Sequence, residues 1–238
     1  MIGPPSISVV MAVKNAGRYL RDALDSIYVQ TFAPSEVILV DGGSTDDTLH
    51  VANSYTRVRL IEESGRGYAS AWNDGIRAAT GDWIAFLDSD DRWVPDKLRL
   101  QIAAAALDPT AMCIIGHVQF FADEGQTLPS GFRAQLLDHS HVAYMPGAML
   151  VRRALFDDVG YFDPAWTIAN DIDWFAELKD RQTRIAILPD VLIHKRVHAD
   201  NLSYLASRSP VINAEMIRVL RRSIHRQRHP AKADTIGE

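Results

Sequence analysis

The sequence predicts an α/β fold, a mostly parallel sheet flanked by helices, and three observations carry that prediction. Short β-rich apolar runs alternate with helix-period segments through the first half of the chain. The first such run ends in a polar, glycine-bearing break, and the second is followed by paired glycines. Four polar residues, Asn15, Asp41, Glu63 and Asp88, fall just past strand ends, the edge at which parallel sheets hold their ligands.

Taken in order, Ile7 to Val13 (ISVVMAV) follows a Pro-Pro turn and reads as a buried strand. Asn15 and Gly17 break it. Tyr19, Leu20, Ala23, Leu24, Ile27 and Tyr28 then recur at helical spacing, and Ala33-Pro34-Ser35 closes that helix. Glu36 to Val40 is a second strand ending at Asp41. Ser44 and Asp47 bracket a capping-box-like start for a helix through Tyr55. Val58 to Glu62 is a third strand, Gly67 to Ala79 a helix, and Trp83 to Leu87 a fourth strand. The second half is less regular. Pro95 opens a helix over Asp96 to Leu107, and strand candidates follow at Met112 to Phe121 and Val142 to Val151. Arg153 to Val159 and Asp171 to Lys179 read as helices, Ile185 to Leu188 and Val191 to His194 as two strands. Val211 to Arg226 is an amphipathic helix with Val211, Ile212, Met216, Val219, Leu220 and Ile224 as its expected apolar face, and the tail after Pro230 is expected to be disordered.

Composition narrows the function. With 238 residues, 47% of them hydrophobic, the chain can bury one substantial core. A net charge of −5 argues against a general nucleic-acid surface. Positive charge is nonetheless concentrated from Arg218 to Lys232, which holds five Arg, one Lys and two His and no acid. The single cysteine, Cys113, lies in an apolar run and reads as a core thiol compatible with a reducing compartment. The first residues lack the basic region of a signal peptide, and no apolar run reaches membrane-span length. A soluble cytoplasmic protein is expected, with the inner membrane surface as the alternative.

Five stretches carry candidate chemistry. In FLDSDDRW, Asp88 and Asp90 are two apart, so in an extended segment both face one side and can reach one hard cation. Asp91 would point the other way or cap the turn before the helix at Asp96. The plain alternative is a solvated acid turn. In VDGGSTDDT, Asp41 sits at a strand end before two glycines and could accept from uracil or guanine, but not from cytosine, whose N3 is itself an acceptor. The later acids of that stretch suit helix capping. GRGYASAWNDGI, from Gly65 to Ile76, opens a helix with small residues that helix packing alone would explain, plus a polar Asn73. In ANDIDWF, Asp171 and Asp173 open a helix, where a carboxylate stays ionised and could serve as a general base or as an ordinary cap. In KRVHADNLS, His198 could be a third metal ligand, and Lys195 or Arg196 could meet phosphate charge, although a lone His is more often structural.

Together these stretches resemble the family-2 glycosyltransferases with the GT-A fold. The matching pieces are ISVVMAVKNAGRYLRDALDSIYVQTF, VILVDGGSTDDT, GRGYASAWNDGIRAATGDWIAFLDSDD, GYFDP, NDIDWF and RVHADNLS, in that order and over most of Ile7 to Ser203. The resemblance implies a Rossmann-like mixed, mostly parallel sheet in a single domain. It also implies a nucleoside-diphosphate sugar as donor (a UDP-sugar favoured), Mn²⁺ or Mg²⁺ as cofactor, and inversion at the anomeric carbon. Carried onto this chain, it makes Asp41 a contact to the donor base, Asp88 and Asp90 the metal-binding pair, and Asp171 the catalytic base. His198 matches a position that binds metal or pyrophosphate in some members. Val13 and Asn15 line the nucleotide pocket, with Arg66, Asn73, Asp88 and Ser89 as further donor contacts. Residues 1–205 are expected to form the transferase domain, 1–110 its nucleotide-binding half and 111–205 its acceptor-binding half. Residues 206–229 form the basic helix and 230–238 the tail.

The chain departs from the family pattern at three points. Trp72 stands where many relatives carry Arg, with Arg66 nearby to replace the cation; Gly42 stands where an acid or Asn is common; and Asn170 stands where Glu often precedes the base. These departures bear on donor identity. The acceptor stays open among a glycan, a lipid carrier, a peptide and a small molecule. The stretch from Leu128 to Met149 is the least family-like and is expected to wall the site. The basic helix has three readings: docking on anionic lipid, contacting a partner or second copy, or packing on the core. Two other functions compete: a nucleotide-sugar-binding inactive relative, and a phosphohydrolase using the Asp cluster.

Overall fold

The computed structural model describes residues 5–65, 67–201 and 210–229. Strand β1 (Ile7–Val13) is buried along its whole length, and its alternating side chains feed two cores. Ile7, Val9, Met11 and Val13 pack against Leu20, Ala23, Leu24 and Ile27 of helix α1 (Leu20–Tyr28). Val10 and Ala12 face the other way, onto Ala69, Trp72 and Ile76 of helix α3 (Tyr68–Ala78). A strand covered on both faces reads as a continuous apolar run, which is what ISVVMAV is.

Strands β2 (Glu36–Asp41), β3 (Val58–Glu62) and β4 (Trp83–Phe86) complete a parallel half-sheet in the order β3-β2-β1-β4. The chain steps outward from β1 through β2 to β3, then returns to the other side of β1 for β4. The carboxyl ends of β1 and β4 therefore bound the switch point of the sheet, where a crevice opens. Helix α2 (Thr48–Asn53) lies between β2 and β3. It starts later than Ser44 and is not closed by a Ser44–Asp47 box. Asp46 instead accepts from the amides of Thr48 and Gly17, at 3.0 Å each, tying the turn to the residues after β1.

The second half extends the sheet in mixed directions. Strand β8 (Leu150–Arg152) runs antiparallel to β4 and to β6 (Cys113–Phe121). Strand β9 (Ile185–Arg196) is parallel to β6 and antiparallel to β5 (Arg92–Trp93). Strand β7 (His141–Val142) adds to β6. Helices α4 (Lys97–Leu107), α5 (Leu155–Val159), α6 (Asn170–Asp180) and α7 (Pro210–Arg228) flank it. Cys113 is buried as expected.

Two strand expectations change. Val142 to Val151 is not one strand, because a 3-10 turn at Pro146–Ala148 separates β7 from β8; Pro146 lacks the amide a ladder needs. Conversely, Ile185 to His194 is one strand rather than two. Ile187 pairs with Ile115 and Val191 with His117, so Pro189 sits in the bulge between them, where no ladder donor is required.

The apolar face expected for the C-terminal helix is also revised. Glu215 and Val219 are buried, whereas Val211, Leu220 and Ile224 are exposed. The inward face meets α6 through charge. Glu215 accepts from the amides of Thr167, Ile168 and Ala169 at 2.7–3.0 Å. Arg226 pairs with Glu177 and Asp180, and Arg222 with Asp163 and Asp173. One face thus packs on the fold. The tail expected to be disordered lies outside the described residues. No helix among the described residues is long and apolar enough to cross a membrane.

Gly75 lets α3 lie directly on β1, since a Cβ there would stand 2.3 Å from Val10 Cγ1. The clash outweighs the helix propensity gained, so Gly75→Ala should lose about 1–2 kcal/mol of stability. Urea denaturation checks this; an unchanged midpoint would contradict the close approach.

Candidate active site

The switch-point crevice is built by three segments. At the ends of β1 and β2 and the start of α3, a cavity of about 480 Å³ is lined by Val13, Lys14, Gly42, Glu63, Tyr68 and Ala71, among others. Glu63 Oε1 is buried there with no hydrogen-bond partner, and burial raises the carboxyl above its ordinary range. Beside the cavity, the residues after β4 make a tight turn in which the Asp91 amide donates to Asp88 O at 3.2 Å. Carboxylate oxygens of Asp88, Asp90 and Asp91 come within 4.8 Å of one another. The third wall is the end of β9 and the residues that follow it.

That third wall answers the crowding of the acids. Lys195 Nζ lies 3.1 Å from Asp91 and 3.5 Å from Asp88. Asp91 is fully buried and also accepts from the Arg196 amide at 2.9 Å. It is therefore neither a solvated turn acid nor a cap for the following helix; it is the internal partner of Lys195. Burial works against the Lys195 ammonium, but the three acids outweigh it and hold its pKa above the ordinary lysine value. One ammonium does not neutralise three carboxylates. Burial and mutual repulsion leave Asp88 raised and push Asp91 up to about 7 despite Lys195. Counted ionised, the four groups carry two excess negative charges.

Asp90 is held differently. It accepts from His198 Nε2 at 3.0 Å and from Asn201 Nδ2 at 3.1 Å. His198 Nδ1 accepts from the Asp200 amide at 3.3 Å, which puts the ring proton on Nε2. In this arrangement His198 orients Asp90 and would have to release that proton to ligate a metal itself. Tyr19 packs on the imidazole with ring centroids 4.9 Å apart. Arg196 does not reach toward phosphate. It is buried between the Tyr19 and Phe121 rings, and pairs with Asp22 and Asp123 while donating to Asp90 O.

Asp171 lies in the first turn of α6, partly buried, and accepts from the Ile172 amide at 2.8 Å. Desolvation raises its carboxyl to about 6, opposed by that amide and reinforced by the nearby Asp88 charge. Lys195 acts on it in the lowering direction, so Asp171 belongs to the same electrostatic site as the acid turn. Asp173 points elsewhere, accepting from Trp166 Nε1 and Arg222 Nη1.

Other expected site residues divide. Val13 lines the cavity, and Ser89 stands half-buried inside the acid turn. Asp41 is 7% exposed and accepts from Gly43 N at 3.1 Å and Ser44 N at 3.0 Å, so its carboxylate first organises its own turn. Asn15, at φ 49°, clamps the same turn by donating its amide to Ser44 Oγ and accepting from Thr45 N. Asn73 is buried, and its side-chain amide donates to Phe162 O at 2.7 Å and accepts from Phe162 N at 3.0 Å, bracing that segment. Arg66 lies outside the described residues. Lys14 and Tyr68 were missed, although each stood beside a recognised element: Lys14 directly after β1, Tyr68 directly after the GRG break.

An acid turn and a carboxylate raised by burial thus lie at the switch point of a half-parallel sheet, and comparison with known proteins assigns the family. The glycosyl transferase family 2 model matches residues 8–160. The chain belongs to glycosyl transferase family 2. It is 29% identical over 208 residues to an uncharacterized glycosyltransferase, RP339, of Rickettsia prowazekii, covering 82% of this chain and 65% of that protein. It is 28% identical over 208 residues to chondroitin synthase of Pasteurella multocida, covering 84% of this chain and 21% of the synthase. The chain thus spans less than two thirds of these relatives. The fold is shared with S. aureus TarS 1-349 in complex with UDP-GlcNAc (TM-score 0.72, 21% identity, 96% of this chain and 68% of that one). It is also shared with the mannosyltransferase PcManGT of Pyrobaculum calidifontis in complex with GDP-Man and Mn²⁺ (TM-score 0.67, 24% identity, 93% and 64%).

Lys195→Met should cost about 3–5 kcal/mol, because it strands Asp91 as a buried charge. Chemical denaturation at pH 8 reads this out; a loss below about 1 kcal/mol would mean the pair behaves like a surface salt bridge.

Proposed function

We propose that the chain transfers a sugar from a nucleoside-diphosphate sugar, a UDP-sugar favoured, to an acceptor hydroxyl with inversion. The observation that carries this reading is the acid turn, three clustered carboxylates served by one ammonium, beside a nucleotide-sized cavity at the switch point. TarS with UDP-GlcNAc and PcManGT with GDP-Man and Mn²⁺ support it as structural relatives.

The donor set fits a divalent cation. Asp88 and Asp90 offer hard oxygen ligands and Asp91 is reserved for Lys195. Mn²⁺ or Mg²⁺, when bound, would supply positive charge to the diphosphate leaving group. His198 and Asn201 hold Asp90 in place. The cavity between Val13, Lys14 and Tyr68 takes the nucleotide, with Asp41 and Asn15 shaping the turn at its edge. Asp171 accepts the proton of the acceptor hydroxyl. The acceptor oxygen bonds to the anomeric carbon as the bond from that carbon to the diphosphate breaks, and the bonding pair leaves with the diphosphate. No covalent enzyme intermediate is involved. An inactive nucleotide-sugar-binding relative would share the cavity but would not need Asp171 as a base.

Calorimetry with UDP, GDP and dTDP, with and without Mn²⁺, tests the donor half. Asp90→Ala should weaken Mn²⁺-dependent nucleotide binding at least about tenfold; equal affinity with and without the ion in the unmodified chain would refute the metal role. Asp171→Asn should keep nucleotide binding and lose about 10²-fold or more in transfer. Because a base works only ionised, kcat/KM should fall as pH drops through about 6, the value to which Asp171 is raised. Full transfer by the Asn variant would rule out the base assignment.

A peripheral contact at the cytoplasmic face of a membrane is favoured by one feature. Ile217, Leu220 and Ile224 stand exposed in a stripe on the outer side of α7, with Arg221 and Arg228 beside it. Cosedimentation with phosphatidylserine vesicles should be lost on Leu220→Glu plus Ile224→Glu, and absence of binding by the unmodified chain would dismiss the contact.

A further inference from the structure

A second groove, of about 700 Å³, runs along α6 away from Asp171. Residues four apart on a helix share a face, so Asp171, Phe175 and Lys179 form one line, ~12 Å from end to end. Phe175 and Lys179 line the groove, together with Tyr144, Gln182 and Arg184. The Tyr144 ring meets Phe175 edge-on at 5.7 Å and is itself 53% exposed, which leaves an aromatic surface open to solvent one turn from Asp171.

The chemistry of the lining is selective. No Asp or Glu lines the groove. Lys179 has no acidic partner among the described residues. Arg184 uses Nε for Asp108 and leaves the rest of an exposed guanidinium free of carboxylate. Gln182 takes the left-handed position that ends α6, at φ 55°, where glycine would be unstrained. The helix end therefore keeps an amide side chain in the groove at a conformational cost. An exposed aromatic ring suits the C–H face of a sugar, an amide suits its hydroxyls, and two cations suit negative charge.

We propose that this groove binds the non-reacting part of a negatively charged oligosaccharide acceptor and so delivers its terminal hydroxyl to Asp171. The delivery rests on the transferase reading above; the ligand class rests on the groove alone. The charge is a sugar carboxylate or a phosphodiester, which Lys179 and Arg184 would meet alike.

The full chain is titrated by calorimetry with three tetramers: a hexuronate-containing tetrasaccharide, a polyol-phosphate tetramer and a neutral tetrasaccharide. UDP with Mn²⁺ is titrated in parallel. At least one anionic tetramer should bind about tenfold or more tighter than the neutral one, and the tighter of the two identifies the source of the charge. Tyr144→Ala and Lys179→Glu change exposed side chains, so both variants should fold. Each should weaken the anionic tetramer about tenfold while leaving UDP affinity unchanged. Equal binding of the neutral tetramer, unaltered anionic binding in both variants, or no tetramer binding by a chain that binds UDP would each overturn the proposal. A chain that takes anionic tetramers through Tyr144 but binds no nucleotide would uphold the groove and defeat the transferase reading.

Discussion

The site depends on one ammonium group. Lys195 lies between Asp88 and Asp91, and through it the end of β9 is bonded to the turn after β4. Three carboxylates in four residues repel, and burying one of them would be prohibitive without a counter-charge. Lys195 and the Arg196 amide make Asp91 tolerable in the interior. The register of β5 on β9, Arg92 with His194 and Trp93 with Ile193, fixes the chain directly after the turn. The parallel half-sheet and the mixed half-sheet thus meet at a charge pair as well as at a backbone ladder. One lysine serves three carboxylates, and it is this shortfall of positive charge that the proposed cation would meet.

A second coupling lies in α6. Asp171 and Asp173 are two apart in its first turn and therefore face different surroundings. Asp171 stays with the acid turn, while Asp173 takes Trp166 and Arg222. Arg218 and Arg222 lie over the Trp166 ring at 4.5 and 5.1 Å. Glu215 caps the amides just before α6 begins. The C-terminal helix is consequently a brace behind the segment that carries Asp171, which gives its inward charges a structural purpose independent of any surface it presents outward.

Strands β1, β2 and β4 were legible because each is a short, mostly apolar run bounded by breaks and buried nearly throughout, and edge strand β3 because VRLIE is β-rich between breaks. The acid turn was legible for the same reason: three acids after an apolar strand have few structural explanations. What the sequence hid was pairing at a distance. The burial of Asp91 follows from Lys195, more than a hundred residues away, and spacing alone suggested an outward cap. Ile185 to His194 read as two strands because the bulge that accommodates Pro189 depends on the partner strand β6. Leu220 and Ile224 looked like the inward face of α7 because the pattern assumes an apolar partner, whereas α6 presents Asp173, Glu177 and Asp180. Asn73 stood out as a polar residue on an otherwise packing helix, and only the fold shows that the Phe162 backbone pairs with its amide.

The acids around the crevice show why residue type alone could not assign roles. Asp41 accepts from Gly43 and Ser44 of its own turn, and Asp46 is held below its ordinary range by Thr48 and Gly17. Asp91 is committed to Lys195, and Asp90 to His198 and Asn201. Asp171 differs from all of these. It has no ion-pair partner among the described residues, and its carboxyl, raised to about 6 by burial, is opposed only by backbone amides and by Lys195, whereas the raised carboxyl of Asp91 is paired directly with Lys195. A carboxylate that is ionised at neutral pH yet poorly stabilised gains most from accepting a proton. Poor partnering is shared by Glu63 in the cavity, so it is the place of Asp171 in the first turn of α6, within the field of Asp88 and Lys195, that supports the base role proposed above.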